Sequence, residues 1–270
     1  MVKPLNITPD GPIREVINVR HLDLELYSYI PHLNPISGIL FLFDGVNRDA
    51  AGIINKAKAL AEHYRLALVA PVMNQKCFPK WRYHYAGVTR NHIIQPQIVW
   101  TYNIIQFLID TMLERFRCSD LKVYLFGHSA GAQLISRVSA YTPLSDVNAV
   151  IASNASSYVM PLLNEPAPFG FKNIFPEQKA ISKLKIYLAA PMTIYLGMCD
   201  VTDLHLSRSA FAIRQGKNRL ERGRKLYQIG RQVARKYQSK FNWRLVELPG
   251  VGHSSRDMLN VNNFAMVLEN

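Results

Sequence analysis

Short apolar runs alternate with longer amphipathic segments along most of the chain. The runs are nearly unbroken and too short for typical helices, which is the pattern of strands buried on both faces of a sheet. Most of them are followed by apolar residues at helical spacing. The predicted buried strands are 36–43, 65–71, 121–126, 147–153, 192–197 and 242–250. The predicted helices are 48–64, 97–116, the segment after residue 130, 217–240 and a short one near 257–268.

The first two predicted strands differ from the others. Residues 13–20 and 22–30 alternate apolar and polar positions, which predicts an antiparallel pair with one exposed face. With this pair, the chain predicts an α/β fold with a mostly parallel central sheet of about eight strands and helices on both faces. Residues 154–190 interrupt the alternation with several prolines. We interpret them as an excursion or lid on a single domain, 1–270.

The helix predicted for 97–116 has one clear apolar face. This face comprises Ile98, Tyr102, Ile105, Ile109, Met112 and Phe116.

The strand 121–126 ends at the pentapeptide Gly127-His128-Ser129-Ala130-Gly131. Glycines on both sides of the serine tolerate unusual backbone angles and let a strand and a helix crowd one turn. The serine would lie at the helix N-terminus, where free N–H groups favour developing negative charge. A strand, a sharp turn and a helix form the context in which such a serine acts as a nucleophile. Ser129 is therefore the first candidate catalytic residue.

A serine hydroxyl needs a neighbouring base, which an acid must hold in place. His253 lies in the glycine-containing segment "LPGVGHSSRD", just after the last predicted strand. The strand 192–197 is followed by Asp200 and Asp203, and we favour Asp200 because it stays at the carboxyl end of that strand. The predicted catalytic residues are Ser129, Asp200 and His253.

Other histidines fit the role of the base less well. We expect the tight turn to direct the His128 side chain away from Ser129, and we expect His205 to be too close to Asp200 in sequence to face the serine from the other side of the site. His84 lies in an aromatic-rich loop.

The reaction also needs hydrogen-bond donors for a developing oxyanion. One is the backbone N–H of Ala130, the residue after the serine. The loop after strand 36–43 contains Gly45 and Val46, and the N–H of Val46 is our candidate for the second donor.

The composition is that of a globular protein with a strong positive charge. The 270 residues are 49% hydrophobic, with 32 Lys and Arg against 19 Asp and Glu and a net charge of +13. Much of the charge lies in 217–240, where Leu220, Leu226, Ile229, Val233 and Tyr237 form an approximate apolar stripe. This pattern favours an outer helix with a solvated basic face. No signature of a nucleic-acid-binding module accompanies it, so we expect no specific nucleic-acid partner, and weak association with an anionic surface stays open.

Cysteine usage and the N-terminus bear on the compartment. Cys77, Cys118 and Cys199 are far apart and odd in number, so they predict neither a disulfide framework nor a metal site. The N-terminal segment lacks the apolar core of a signal peptide, and no apolar run is long enough to span a membrane. We expect a cytoplasmic protein, although export of a longer precursor stays open. The sequence predicts no oligomeric state.

With these residues in place, the chain resembles the α/β-hydrolase superfamily over nearly its full length. The segments "GHSAG", "YLGMCD" and "GVGH" occur in the order of that family. Ser-Ala-Gly at the turn is similar to the esterase, lipase and polyhydroxyalkanoate-depolymerase-like branches, and to arylformamidases. The resemblance implies a serine esterase that works through an acyl-enzyme without a cofactor. Many relatives have His-Gly where this chain has Asp44-Gly45, and we expect the Asp44 carboxylate to point away from the oxyanion into hydrogen bonds.

The leading hypothesis is thus hydrolysis of a small-molecule or lipid-like carboxylic ester. Amide or peptide hydrolysis would use the same residues, and a non-catalytic binding protein on the same fold is a third reading. Four aromatic residues are candidates for the wall of an apolar acyl or aryl pocket: Trp81, Tyr83, Tyr158 and Phe169. The alternative is that these aromatics only pack their loops against the core.

Overall fold

The computed structural model describes residues 11–19, 22–32, 35–116, 120–142 and 146–268. Its strands coincide closely with the apolar runs of the sequence. In chain order they are β1 (Ile13–Val19), β2 (Leu22–Tyr29), β3 (Gly38–Phe43), β4 (Leu66–Pro71), β5 (Thr89–Arg90), β6 (Ile93–Ile94), β7 (Lys122–His128), β8 (Ala149–Ser153), β9 (Met192–Gly197) and β10 (Arg244–Leu248).

Helices follow most of these strands. They are α1 (Ala50–Tyr64), α2 (Lys80–Tyr83), α3 (Tyr102–Phe116), α4 (Ala130–Tyr141), α5 (Glu177–Ala189), α6 (Ala210–Ile213), α7 (Arg219–Lys236), α8 (Ser255–Met258) and α9 (Val261–Leu268), with a 3₁₀ turn at Gln97–Val99. In the described part of the chain, no helix has the length and apolar character needed to cross a membrane.

One large sheet organises the molecule. Within the described ranges it has eight strands in the order β1-β2-β4-β3-β7-β8-β9-β10, while β5 and β6 pair separately. The β1–β2 and β2–β4 pairs are antiparallel and the other neighbours are parallel. The predicted mostly parallel sheet of about eight strands is therefore confirmed. Because β3, β7, β8, β9 and β10 run in one direction, the loops that leave their carboxyl ends meet along one edge of the sheet.

The core lies on both faces of this sheet. Alternate residues of β3 point to opposite sides, so Ile39, Phe41 and Phe43 join one buried cluster and Leu40 and Leu42 join the other. The first cluster includes residues of α3, α4, α5 and α7, and the second includes residues of α1, α8 and α9. Helices thus cover both faces, which explains why β3 and β4 are apolar and buried at every position.

One sequence prediction needs correction. The helix predicted for 97–116 begins only at Tyr102, because Trp100 has extended backbone after the 3₁₀ turn and packs its indole into the core. Ile98 therefore lies outside the helix and is 70% exposed.

The segment 154–190 ends in α5, and Tyr158, Val159 and Phe171 are buried in the first cluster. Its interpretation as an excursion or lid on a single domain stays a prediction.

Two of the three cysteines lie in the described residues. Cys77 and Cys199 are free thiols, and Cys118 lies outside the described residues.

Candidate active site

Ser129 lies in a strained turn between β7 and α4. Its φ of 54° and ψ of −107° are rare for a residue with a side chain, and such strain persists only where the surroundings impose it. The flanking glycines show how it is imposed. A Cβ at Gly127 would lie 2.4 Å from the carbonyl carbon of Gly131, and a Cβ at Gly131 would lie 2.0 Å from the carbonyl oxygen of Phe43. Only glycine fits at either position, so the turn is pressed against the end of β3.

Asp200 and His253 are brought together from the loops after β9 and β10. Asp200 Oδ2 lies 2.6 Å from His253 Nδ1. Because a carboxylate can only accept, Nδ1–H is the donor, and Nε2 is left with a lone pair. The Asp200 side chain is fully buried, whereas 28% of the His253 side chain is exposed. This pair can therefore hold an imidazole in one tautomer and present its other nitrogen to a cavity.

The second oxygen of Asp200 binds a residue that the sequence did not predict. Arg219 Nη1 lies 3.2 Å from Asp200 Oδ1, and neither side chain is exposed. The same guanidinium donates through Nη2 to the carbonyl of Leu204 at 2.5 Å. Arg219 therefore fixes both the carboxylate and the loop that follows it.

A second arginine of α7 is also buried. Arg222 donates to the carbonyl oxygens of Ser156, Ser207 and Gly216. Burial lowers the pKa of Arg222 to about 10. The prediction that the basic residues of this helix form a solvated face is wrong for these two positions. The available signal was their spacing, since Arg219 and Arg222 precede the buried Leu226 by seven and four residues on the same face of the helix.

His128 lies beside His253 and behind the serine turn. The two ring centroids are 4.6 Å apart, and His128 Nδ1 is 3.2 Å from Ser153 Oγ. Burial first, and then the electrostatic effects of His253, Arg219 and Lys56, hold the pKa of His128 well below its ordinary value. His128 is therefore neutral near pH 7.

Two adjoining cavities meet at Ser129. The first, which we call the base cavity, is about 240 Å³ and is lined by Ser129 and His253 together with Asp44, Lys56, His128 and Ser255. The second, which we call the Lys80 cavity, is about 230 Å³ and is lined by Ser129 together with Lys80, His84, Tyr85, Gln133 and Arg208. Val46 and His205 line both. The structure thus brings Ser129, His253 and Val46 to one opening, with Asp200 buried behind the histidine.

His205 and His128 also line the site. His205, which was expected to be too close to Asp200 in sequence to face the serine from the other side, has a positive φ of 53° and lines both cavities. His128 lines the base cavity, and the orientation of its side chain away from Ser129 stays a prediction.

The loop after β3 contacts the serine turn. A Cβ at Gly45 would lie 3.6 Å from Ser129 Cβ, so the backbone of this loop passes directly over the serine. Among the described residues, the N–H of Val46 has no hydrogen-bond partner. Asp44 Oδ2 accepts a hydrogen bond from the N–H of Asp49 at 2.9 Å, as expected, although the side chain also borders the base cavity.

The four aromatic candidates for substrate contact have other surroundings. Tyr83 is buried and donates its hydroxyl to the carbonyl of Asp44 at 2.6 Å. Tyr158 and Phe169 are buried as well, and Trp81 is half-buried. Tyr85, from the same aromatic-rich loop as Trp81 and Tyr83, lines the Lys80 cavity. Contact of the four with a substrate stays a prediction.

No family model matches the sequence, and neither does any curated protein. Two solved structures align over nearly the whole chain. The LpqC poly(3-hydroxybutyrate) depolymerase from Bordetella parapertussis has a TM-score of 0.86 and 26% identity, covering 95% of this chain and 90% of its own. Poly(aspartic acid) hydrolase-1 from Sphingomonas sp. KT-1 has a TM-score of 0.85 and 28% identity, covering 96% and 98%.

The chain has the α/β-hydrolase fold. A more distant α/β-hydrolase neighbour is an S-formylglutathione hydrolase from Agrobacterium tumefaciens, with a TM-score of 0.57 and 13% identity over 97% of this chain and 96% of its own. At that identity the likeness concerns the fold alone. Placed on the α/β-hydrolase fold, the serine turn, the buried carboxylate and the histidine follow strands in the order that the resemblance implied.

Proposed function

We propose that this α/β-hydrolase is a serine hydrolase of carboxylic esters in which Ser129 is the nucleophile, His253 the general base and Asp200 the acid that orients it. The observation that carries the proposal is the 2.6 Å contact of Asp200 Oδ2 with His253 Nδ1, in a histidine that lines the same cavity as Ser129. The depolymerase named above, at 26% identity, supports an ester or polyester as the substrate class.

Acylation would begin when Nε2 of His253 takes the proton of the Ser129 hydroxyl as its oxygen attacks the acyl carbon. The carbonyl π electrons move to the oxygen, and the backbone N–H groups of Val46 and Ala130 would bind this oxyanion. The unpaired N–H of Val46 and the close approach of its loop to Ser129 support this assignment. The imidazolium then gives its proton to the leaving alkoxide as the acyl–oxygen bond breaks.

Deacylation would repeat these steps with water. His253 takes a proton from water, hydroxide adds to the acyl-enzyme, and the serine oxygen leaves with the proton from the imidazolium. The products are a carboxylic acid and an alcohol. Asp200 keeps its charge throughout and stabilises the imidazolium at each step.

Amide hydrolysis is the second candidate. Poly(aspartic acid) hydrolase-1, at 28% identity, is named for a polymer whose backbone is linked by amides, which supports it. The same residues would act, with an amine in place of the alkoxide as the leaving group. Rates for an ester and an amide with the same acyl group, measured on one preparation, separate the two.

A fluorophosphonate probe tests the proposed nucleophile. We expect wild type to be labelled, Ser129→Ala to be unlabelled, and kcat for 4-nitrophenyl esters of graded acyl length to fall by about 10⁴-fold or more in Ser129→Ala. Asp200→Asn should lower kcat by about 10⁴-fold, since an amide no longer fixes the reactive tautomer.

Asp203→Asn is the matched control, because Asp203 follows the same strand but is 78% exposed and pairs with Arg208. It should retain nearly wild-type kcat. An unlabelled wild-type protein that hydrolyses none of these esters or amides would instead point to a binding protein on this fold.

A further inference from the structure

The lining of the Lys80 cavity contains two cations, Lys80 and Arg208, both of which are exposed. His84, His205 and Tyr85 add polar groups to its wall. Among the described residues that line it there is no carboxylate. Arg208 pairs with Asp203 at 3.1 Å, and both side chains are 78% exposed. Because exposed ion pairs of this kind are weak, a ligand carboxylate can compete with Asp203 for the guanidinium.

Two buried guanidinium groups lie directly behind this lining. Arg137 is fully buried and donates to the carbonyl of Gln133 and to the carbonyl and hydroxyl oxygens of Ser157. Its Nε has no partner in the described chain. Arg222 is held from the other side by the carbonyl oxygens of Ser156 and Ser207, two residues whose atoms line the cavity.

Neither guanidinium is paired with a carboxylate among the described residues. Burying a cation against neutral oxygens alone is unfavourable unless an anion can approach it. Proteins keep such arrangements where a ligand completes them. The buried cations Arg137 and Arg222 therefore add to the positive charge of Lys80 and Arg208 in the lining of the Lys80 cavity.

His84 lies in the wall of this cavity. Burial and, to a lesser extent, the positive charges of Arg48, Lys80 and Arg137 together lower its pKa to about 3. The imidazole is neutral at pH 7 and can donate one hydrogen bond to an anion without adding charge.

The position of His253 assigns the two cavities to the two halves of an ester. His253 must deliver a proton to the leaving alkoxide, so the leaving group has to lie on the side of the imidazole. His253 lines the base cavity and does not line the Lys80 cavity. The acyl half therefore extends into the Lys80 cavity, past Gln133 and Tyr85.

We propose that the Lys80 cavity is the acyl subsite and that it selects acyl groups that carry a carboxylate, which Lys80 and Arg208 would bind. This inference rests on the proposed serine hydrolase function and defines its substrate class as half-esters of dicarboxylic acids and related acidic oligomers. The free carboxylate stays on the acyl product throughout, and no group other than water is consumed.

A matched pair of substrates tests the charge preference. Mono(4-nitrophenyl) adipate ends in a carboxylate, and 4-nitrophenyl methyl adipate has the same chain with a neutral methyl ester at that end. At low ionic strength we expect kcat/KM for the anionic substrate to exceed that for the neutral one by about tenfold, corresponding to about 1.4 kcal/mol. Added salt should reduce the ratio, because Lys80 and Arg208 are exposed. A ratio of one or less in wild type would overturn the proposal.

Variants of the two cations that line the Lys80 cavity test whether the preference for an anionic substrate arises there. Lys80→Gln and Arg208→Gln should each lower kcat/KM for the anionic substrate by about three- to tenfold and change the neutral substrate by less than about twofold. Lys122→Gln is the matched control, since Lys122 is exposed at the start of β7, at the opposite end of the sheet from the site. Equal losses on both substrates in the cavity variants would contradict the assignment.

A binding measurement separates this proposal from the proposed catalysis. Ser129→Ala, titrated by calorimetry with monomethyl adipate and with dimethyl adipate, should bind the anionic compound more tightly, and Lys80→Gln in the same background should reduce the difference. Equal affinities would refute the anionic subsite even if esters are hydrolysed. If the wild-type protein is not labelled and hydrolyses no ester, but the difference in affinity is preserved, the proposed triad is refuted and the anionic subsite stands.

Discussion

Arg219 and Asp200 form an ion pair that is closed to solvent, with Nη1 3.2 Å from Oδ1 and neither side chain exposed. The carboxylate that orients His253 is thereby neutralised from the opposite side by a residue of α7. The ion pair makes Arg219 a positioning residue for the proposed triad.

Replacing Arg219 should affect both stability and the pH profile of activity. Arg219→Met leaves Asp200 buried without its cation, so the free energy of unfolding should fall by about 3 to 5 kcal/mol in urea denaturation. The acid limb of the kcat/KM profile should shift as well, because loss of a buried positive charge changes the electrostatic field at the Asp200–His253 pair.

Arg231→Met is the control for this change, since Arg231 is exposed on the same helix. Arg231→Met should change neither the free energy of unfolding nor the pH profile of activity. The double variant Arg219→Met/Asp200→Asn should recover part of the lost stability and none of the activity, because the uncompensated charge is gone but the orienting carboxylate is gone as well. A pH profile unchanged in Arg219→Met would show that the ion pair serves the fold alone.

Alanine substitutions at Gly131 and Gly45 should have different effects on stability and on catalysis. In Gly131→Ala the new methyl group would meet the Phe43 carbonyl at 2.0 Å, so we expect a loss of more than about 3 kcal/mol or no folded protein. In Gly45→Ala the methyl group has ordinary contact with Ser129 Cβ at 3.6 Å, so the fold should be kept within about 1 kcal/mol. Its kcat/KM should still fall, because the methyl group occupies the approach to the serine. Thermal unfolding and ester hydrolysis of the two variants test this contrast.

His84 should make stability dependent on acidity. Its pKa in the folded protein is about 3, below that of an unfolded histidine, so below about pH 6.5 the unfolded chain binds a proton that the folded one does not. Stability should therefore decline as the pH falls from about 6.5 towards 3, with this residue contributing up to about 1.4 kcal/mol per pH unit. Denaturation of His84→Gln between pH 6.5 and 4 should show a smaller slope than wild type, whereas His63→Gln, at an exposed position of α1, should show the wild-type slope.

Tyr83 distinguishes a substrate contact from a structural one. Tyr83→Phe removes the hydroxyl that donates to the Asp44 carbonyl at 2.6 Å. We expect the free energy of unfolding to drop by about 1 to 3 kcal/mol, since a buried carbonyl loses its donor. KM for esters with aryl and alkyl acyl groups should stay within about twofold. A large rise in KM with unchanged stability would instead favour the substrate-binding role predicted from sequence.

The sequence was sufficient for the features that depend on local pattern. Apolar runs located six strands of the large sheet, because strands buried on both faces are mostly apolar. The alternating pattern of 13–20 and 22–30 located the antiparallel pair. The serine turn was recognisable because Gly127 and Gly131 are required by contacts within a few residues and with the neighbouring strand.

Features that depend on distant partners were not accessible in this way. Arg219 and Arg222 have the composition of a solvated helix face, and only their contacts with Asp200 and with the carbonyls of other loops make burial favourable. The helix predicted for 97–116 was wrong at its start for a similar reason. Its helical spacing includes Ile98, but Trp100 reaches a better environment in the core by interrupting the helix.

The double contact of Arg219, with Asp200 and with the Leu204 carbonyl, limits how this region can vary in length. One guanidinium anchors the acid and the backbone four residues later, so an insertion between these two points would pull one anchor away from the other. Extra residues placed after Arg208 and before α6 would bypass both anchors. Length changes that keep the first interval and use the second would alter the loop that contains His205 while leaving the contacts of Asp200 with Arg219 and His253 in place.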